Sequence, residues 1–237
     1  MSSLLEICAN SVQSAQAAQT GGAHRIELCQ NLEQGGITPS YGLIKQVQAL
    51  LRIPVFVLIR PRPGNFVYDA DEFAVMQADV LACRTLECAG IVLGVLDQDG
   101  NVDTARCRTL IELARPMAVT FHRAFDDCRN QPQALEDLIA LGCQRVLTSG
   151  GAVSAPEGQE QLARLVAQAA GRLVVMPGAG ITPDTICSLA THTGAREFHT
   201  SAKRRIDPQL SYPSLFLTDY YQTDAAQVAR LVALLRP

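Results

Sequence analysis

Short apolar runs alternate along the whole chain with longer stretches whose apolar positions recur at helical spacing. The runs predict strands at Leu4–Cys8, Arg25–Cys29, Val55–Arg60, Gly90–Leu93, Ala118–His122, Arg145–Thr148, Leu173–Met176 and Glu197–Thr200. The stretches between them predict helices near Val12–Thr20, Tyr41–Leu51, Glu72–Cys88, Thr104–Ala114, Gln133–Ala140, Gln159–Ala169, Asp184–Thr193 and Ala225–Leu235. Pro39, Pro132, Pro156 and Pro183 fall at or near first-turn positions, where the missing N–H costs nothing. Gly142 and Gly194 fall where left-handed caps close helices.

Alternating strands and helices build either a closed barrel or an open doubly wound sheet. An open sheet of the nucleotide-binding kind carries a glycine-rich turn after its first strand. Here that turn reads Cys8-Ala9-Asn10-Ser11-Val12, without glycine. The count of strands and the length of 237 residues fit a single (β/α)₈ TIM barrel spanning residues 1–237, a parallel eight-stranded closed barrel. The longest stretches without a pattern are Asn31–Ser40, Pro61–Asp71 and Lys203–Thr223. All three follow strands, on the face where barrels carry their active-site loops.

A strand buried on both sides has no natural place for a charge. The first strand nevertheless reads Leu4-Leu5-Glu6-Ile7-Cys8 and the second Arg25-Ile26-Glu27-Leu28-Cys29. Period two puts Glu6 with Cys8, and Glu27 with Cys29, on the inward faces. The third strand ends at Arg60 and Arg62, the fifth at His122, and the eighth carries His199 and Ser201. Glu27, Arg60, His122 and His199 are therefore the candidate catalytic set. Arg60 is the expected fork for Glu6 or Glu27. Each of these charges could instead brace the barrel as part of an ion network.

Gly178-Ala179-Gly180-Ile181 follows the seventh strand, Ser201 the eighth, and Thr148-Ser149-Gly150-Gly151 closes the sixth. Barrels commonly bind phosphate at such loops through backbone N–H groups. The expected anion-binding residues are Arg62, Ser149, Gly150, Gly178, Gly180 and Ser201. Cys8 and Cys29, on neighbouring strands, could form a soft site for Cu(I) or zinc, or could be buried packing.

Composition narrows the field. Hydrophobic residues at 48% and charged residues at 18% fill a core and exclude a disordered chain. A net charge of −3 with mixed signs leaves no basic stripe for nucleic acid and no polybasic patch for membranes. No apolar run reaches spanning length, and Met1–Glu6 does not read as a secretion signal. Eight scattered cysteines without a Cys-x-x-Cys pair read as reduced thiols of a cytoplasmic protein.

Several motifs taken together resemble the CutC family of copper homeostasis proteins. They are Glu6-Ile7-Cys8, Arg25-Ile26-Glu27-Leu28-Cys29, Gly35-Gly36-Ile37-Thr38-Pro39-Ser40, Ile59-Arg60-Pro61-Arg62, Phe66-Val67-Tyr68, Thr120-Phe121-His122-Arg123-Ala124-Phe125-Asp126, Leu147-Thr148-Ser149-Gly150 and Gly178-Ala179-Gly180-Ile181. The resemblance fades over the last thirty or so residues, and Gln34, Pro63 and Asn65 depart from the family's pattern. It implies a cytoplasmic (β/α)₈ barrel that assembles as a homo-oligomer, with copper bound at Cys8 and Cys29. Two functions follow as expectations. One is Cu(I) handling through Cys8 and Cys29, assisted by His122 or His199. The other is an enzyme, or a binding protein, for a small phosphorylated or carboxylated compound. In the enzyme Glu27 or His122 would serve as acid or base, Arg60 and Arg62 would clamp the anion, and the turn at Gly178 would cradle phosphate.

Overall fold

The computed structural model describes residues 3–207, 210–212, 214–215 and 219–236. Eight parallel strands are joined in the order β7-β6-β5-β4-β3-β2-β1-β8. They are β1 (Leu4–Ala9), β2 (Arg25–Leu28), β3 (Val55–Leu58), β4 (Gly90–Leu93), β5 (Ala118–Phe121), β6 (Arg145–Thr148), β7 (Val174–Pro177) and β8 (Glu197–Thr200). A single parallel bridge between Gly178 and His199 closes the ring between β7 and β8. The fold is a TIM barrel.

Seven helices follow the first seven strands: α1 (Val12–Thr20), α2 (Tyr41–Leu50), α3 (Ala70–Thr85), α4 (Thr104–Ala114), α5 (Gln131–Leu141), α6 (Gln159–Ala169) and α7 (Ile186–Thr193). The eighth, α8 (Ala225–Leu234), comes after an antiparallel ribbon of β9 (Lys203–Ile206) and β10 (Tyr220–Thr223). The patternless stretch 203–223 thus carries two strands at its ends. Thr223 fixes the ribbon to the barrel, its N–H donating to Ser14 Oγ and its hydroxyl to the Ser201 carbonyl.

Local chemistry sets the helix ends. Gly142 and Gly194 take left-handed conformations at φ 81° and 70°, as their positions require. Pro132 lies in the first turn of α5, whereas Pro39, Pro156 and Pro183 lie ahead of the first helical residues. The third helix starts at Ala70, two residues before its predicted start. Asp69 and Glu72 form a reciprocal capping box that makes Glu72 the third helical residue. Among the described residues no helix is long and apolar enough to cross a membrane.

Strand parity divides the buried residues into two sets. Leu5, Ile7, Ile26, Leu28, Val57, Ile91 and Phe121 face the helices and form the continuous outer core. Inside the ring a smaller cluster, Cys8, Cys29, Phe56, Leu58 and Val92, packs separately. Two inward positions, one at the start of the fourth strand and one just past its end, are glycines for want of room. A Cβ on Gly90 would stand 2.3 Å from Phe56 Cε1, and one on Gly94 would stand 2.4 Å from His122 Cε1. Large rings from β3 and β5 occupy the space that β4 leaves.

Candidate functional site

The amino-terminal end of the barrel is plugged by charge. Arg25 Nη2 lies 2.6 Å from Glu197 Oε2, and Arg145 Nε lies 2.8 Å from the same oxygen. Both guanidiniums lie over the Phe56 ring, at 5.5 and 5.4 Å from its centre. Arg25 Nε also pairs with Glu6 Oε2. The ladder makes this pairing direct, since Glu6 stands opposite Arg25 on one side and His199 on the other. Arg60 was the expected partner of these acids, and the structure corrects this. The nearer guanidinium belongs to Arg25, which shares the inward face of β2 with Glu27.

Above the plug, Glu6 and His199 form a buried ion pair, with Nδ1 2.7 Å from Oε1. Burial alone would raise the Glu6 pKa, but the Arg25 charge and the His199 hydrogen bond and charge bring it down to about 2. Burial likewise opposes a charge on His199. The hydrogen bond to Glu6 and the charges of Glu27 and Glu6 outweigh it and raise the His199 pKa. Glu27 is different. Burial and the nearby Glu6 charge push its pKa up to about 7 against the pull of His199 and Arg25. Its Oε2 has no hydrogen-bond partner among the described residues.

The thiols sit beside these acids. Cys8 Sγ and Cys29 Sγ are 3.5 Å apart, and Cys8 Sγ is 4.0 Å from Glu27 Oε1. Cys29 is fully buried behind Cys8. The hydrogen bond with Cys29, burial, and the Cys29, Glu27 and Glu6 charges hold the Cys8 thiol well above its ordinary pKa. Two sets could hold a metal. One is the thiol pair; the other is Glu6, Glu27 and His199, whose ligand atoms all lie within 4.8 Å of one another.

A cavity of about 240 Å³ opens above this floor at the carboxyl ends of the strands. Cys8, Glu27, Arg60, His122, Gly180, His199 and Ser201 all line it. Its upper wall is made by Phe66, whose ring lies under the Arg60 guanidinium at 4.9 Å and against the His122 ring at 4.9 Å. His122 follows β5 directly and caps the short 3-10 turn Arg123–Asp127, its Nδ1 accepting from Ala124 N–H at 3.1 Å. That bond places the ring proton on Nε2, which has no partner. Burial and the Arg60 charge push the His122 pKa down to about 3, so the ring is neutral at physiological pH.

The predicted anion residues divide. Arg62 does not line the cavity. Its guanidinium pairs with Glu72, donates to the Val67 carbonyl at 2.8 Å and lies over Tyr68, so the expected clamp serves a loop. The turn after β6 is also taken, because Asp126 occupies it. Thr148 Oγ1, Ser149 N–H at 3.0 Å and Gly151 N–H at 3.0 Å all donate to that carboxylate. Gly150 N–H donates to Thr148 Oγ1 and Gly178 N–H to the Thr148 carbonyl. The backbone donors expected of Ser149, Gly150 and Gly178 are therefore spent within the protein. Asp126 was missed because its loop belongs to another unit of the barrel. Arg25 and Glu197 were legible by parity with Glu27 and His199.

Comparison with known proteins matches residues 3–204 to the CutC family. A family protein CutC from Xanthomonas axonopodis pv. citri is 52% identical over 236 residues, covering 98% of both chains. Another from Chromobacterium violaceum is 55% identical over 212 residues, covering 90% of this chain and 86% of that one. The crystal structure of a CutC protein from Streptococcus agalactiae superposes with a TM-score of 0.81 at 34% identity. It covers 84% of this chain and 98% of that one. A thiamine phosphate pyrophosphorylase from Pyrococcus furiosus shares the fold, with a TM-score of 0.62 at 16% identity over 98% of this chain and 95% of that one.

Proposed function

The chain belongs to the CutC family, and from that premise we propose that it handles copper by binding Cu(I) between Cys8 and Cys29. The Streptococcus agalactiae relative carries a provisional description as a copper homeostasis protein. The observation that supports the reading in this chain is the 3.5 Å contact between two thiols on adjacent strands, one of them open to a cavity. Soft sulfur donors on rigid neighbouring elements suit a soft monovalent ion. The surroundings favour a cation as well. Glu6 and Glu27 disfavour bare thiolates beside them, and an arriving positive charge relieves that repulsion. Each thiol gives up its proton as its sulfur–copper bond forms, with no change in oxidation state. Two collinear bonds of about 2.3 Å would span roughly 4.6 Å, so binding either spreads the sulfur pair or recruits a third donor.

The eight cysteines are all free, which supports a reducing, cytoplasmic setting. Self-association is part of the same reading, and light scattering of the purified protein tests it. The copper reading is tested by competition with a chromophoric Cu(I) chelator, using the native protein and Cys29→Ser. At least a tenfold loss of affinity in the variant is expected. Equal affinity would reduce Cys29 to packing and end the copper reading of this pair.

A further inference from the structure

A copper ion held by two thiols leaves most of the cavity's polar capacity unused. Arg60 is 6% exposed, yet among the described residues no carboxylate lies within ion-pair distance of it. Its partners are neutral carbonyls, Gly36 at 2.9 Å, Gly64 at 2.7 Å and Gln34 at 3.4 Å, and its Nε has none. A buried guanidinium without a counter-charge is expensive, and the missing charge belongs to something that enters. His122, 5% exposed, adds an unpaired Nε2–H donor. On β2, beside β3, Glu27, 5% exposed, offers an Oε2 that accepts no hydrogen bond, with His199 Nδ1 3.9 Å away. The residues that follow β3 and β5 thus supply positive charge and a donor, and β2, hydrogen-bonded beside β3, supplies an acceptor in the layer below them.

From this arrangement we infer that the cavity above Cys8 binds a small hydroxy acid, with its carboxylate at Arg60 and His122 and its hydroxyl donating to Glu27 Oε2. The cavity's 240 Å³ is below the roughly 300–1,000 Å³ of sites for drug-sized ligands, which favours an acid of few carbons over a nucleotide. A carboxylate fits better than a phosphate ester. Phosphate sites draw on several convergent backbone N–H groups; those of Ser149, Gly150, Gly151 and Gly178 are already spent, which leaves the lining residues Gly180 and Ser201 of the predicted set. Phe66, packed on both Arg60 and His122, shields the carboxylate end from water.

The test is calorimetric titration of the metal-free protein with glycolate, lactate, glycerate and malate, with propionate and glycerol as single-function controls. Metal-free protein makes the outcome independent of whether copper binds. At least one hydroxy acid is expected to bind ten times more tightly than propionate, and glycerol not at all. In Glu27→Met that preference should vanish while propionate binding is unchanged. Arg60 also holds loop carbonyls, so Arg60→Met is paired with His122→Phe. Both should weaken the acid at least tenfold while circular dichroism shows the native fold. No binding of any of the four acids at 20 mM would overturn the inference. So would equal binding of propionate, or preferential binding of inorganic phosphate.

Discussion

His199 Nδ1 lies 2.7 Å from the Oε1 of Glu6, the residue paired with it across the β1–β8 ladder, where Glu6 is fully buried and His199 shows only an edge to the cavity. Arg25 holds the other oxygen of the same carboxylate. One acid therefore satisfies two cations from the two strands that flank it.

Replacing that acid leaves both cations short of a partner. Glu6→Gln is expected to destabilise the protein by about 3–5 kcal/mol, the range for breaking a buried pair from one side. Urea unfolding at pH 7 measures it. The pH dependence has a definite sign. The folded pKa of about 2 lies below the ordinary 4.5, so the contribution is complete above pH 4.5 and is lost as pH falls through 2. A variant within 1 kcal/mol of the native protein would mean that the triad contributes little.

Glu27 has the opposite sign. Its folded pKa is raised to about 7, so the folded protein holds a proton that the unfolded chain has released above pH 4.5. Stability of the metal-free protein should therefore fall as pH rises from 4.5 to 7, by up to roughly 3 kcal/mol. Glu27→Gln should remove that slope and match or exceed the native stability at pH 8. Superimposable stability curves from pH 4.5 to 8 would refute the assignment.

Gly90→Ala probes the interior packing. The added methyl would stand 2.3 Å from Phe56, whose ring packs against both plug arginines. Overpacking of this kind costs about 1–3 kcal/mol. Thermal unfolding should show a lowered midpoint. Gly142→Ala has open space for its methyl but a left-handed backbone, and should cost about 1 kcal/mol. A larger loss at Gly142 than at Gly90 would place the constraint in the backbone and not in the packing.

Asp126 fills a cradle that would otherwise suit an oxyanion. Asp126→Ala should strand the N–H groups of Ser149 and Gly151 and lower stability by about 1–3 kcal/mol. Millimolar inorganic phosphate should restore part of that loss in the variant while leaving the native protein unchanged. Phosphate stabilisation of the native protein would show that the cradle is open after all.

The inward faces of β1 and β2 were readable because Glu6, Cys8, Glu27 and Cys29 violate the apolar rule at two-residue spacing. His122 and His199 announced themselves as polar residues at strand ends. Partnership was much less readable. Whether Arg25 or Arg60 meets Glu6 depends on ladder register, and register between strands is not written in either strand alone. Arg62 looked like a clamp because it stands with Arg60 at the end of the third strand. Its destination was decided by Glu72, which also serves the capping box of α3. The β9–β10 ribbon escaped notice because β9 reads Lys203-Arg204-Arg205-Ile206, with too few apolar residues for a strand signal.

The plug of Arg25, Arg145, Glu197 and Phe56 makes the barrel a vessel with one door. Whatever reaches the thiols enters past Arg60 and His122 and leaves the same way. An ion seated at Cys8 lies deeper than an acid held at Arg60, so the two must load in order, and the last to arrive is the first to depart. Dissociation of the deeper guest should therefore slow in proportion to the occupancy of the shallower one, even if neither changes the other's intrinsic affinity.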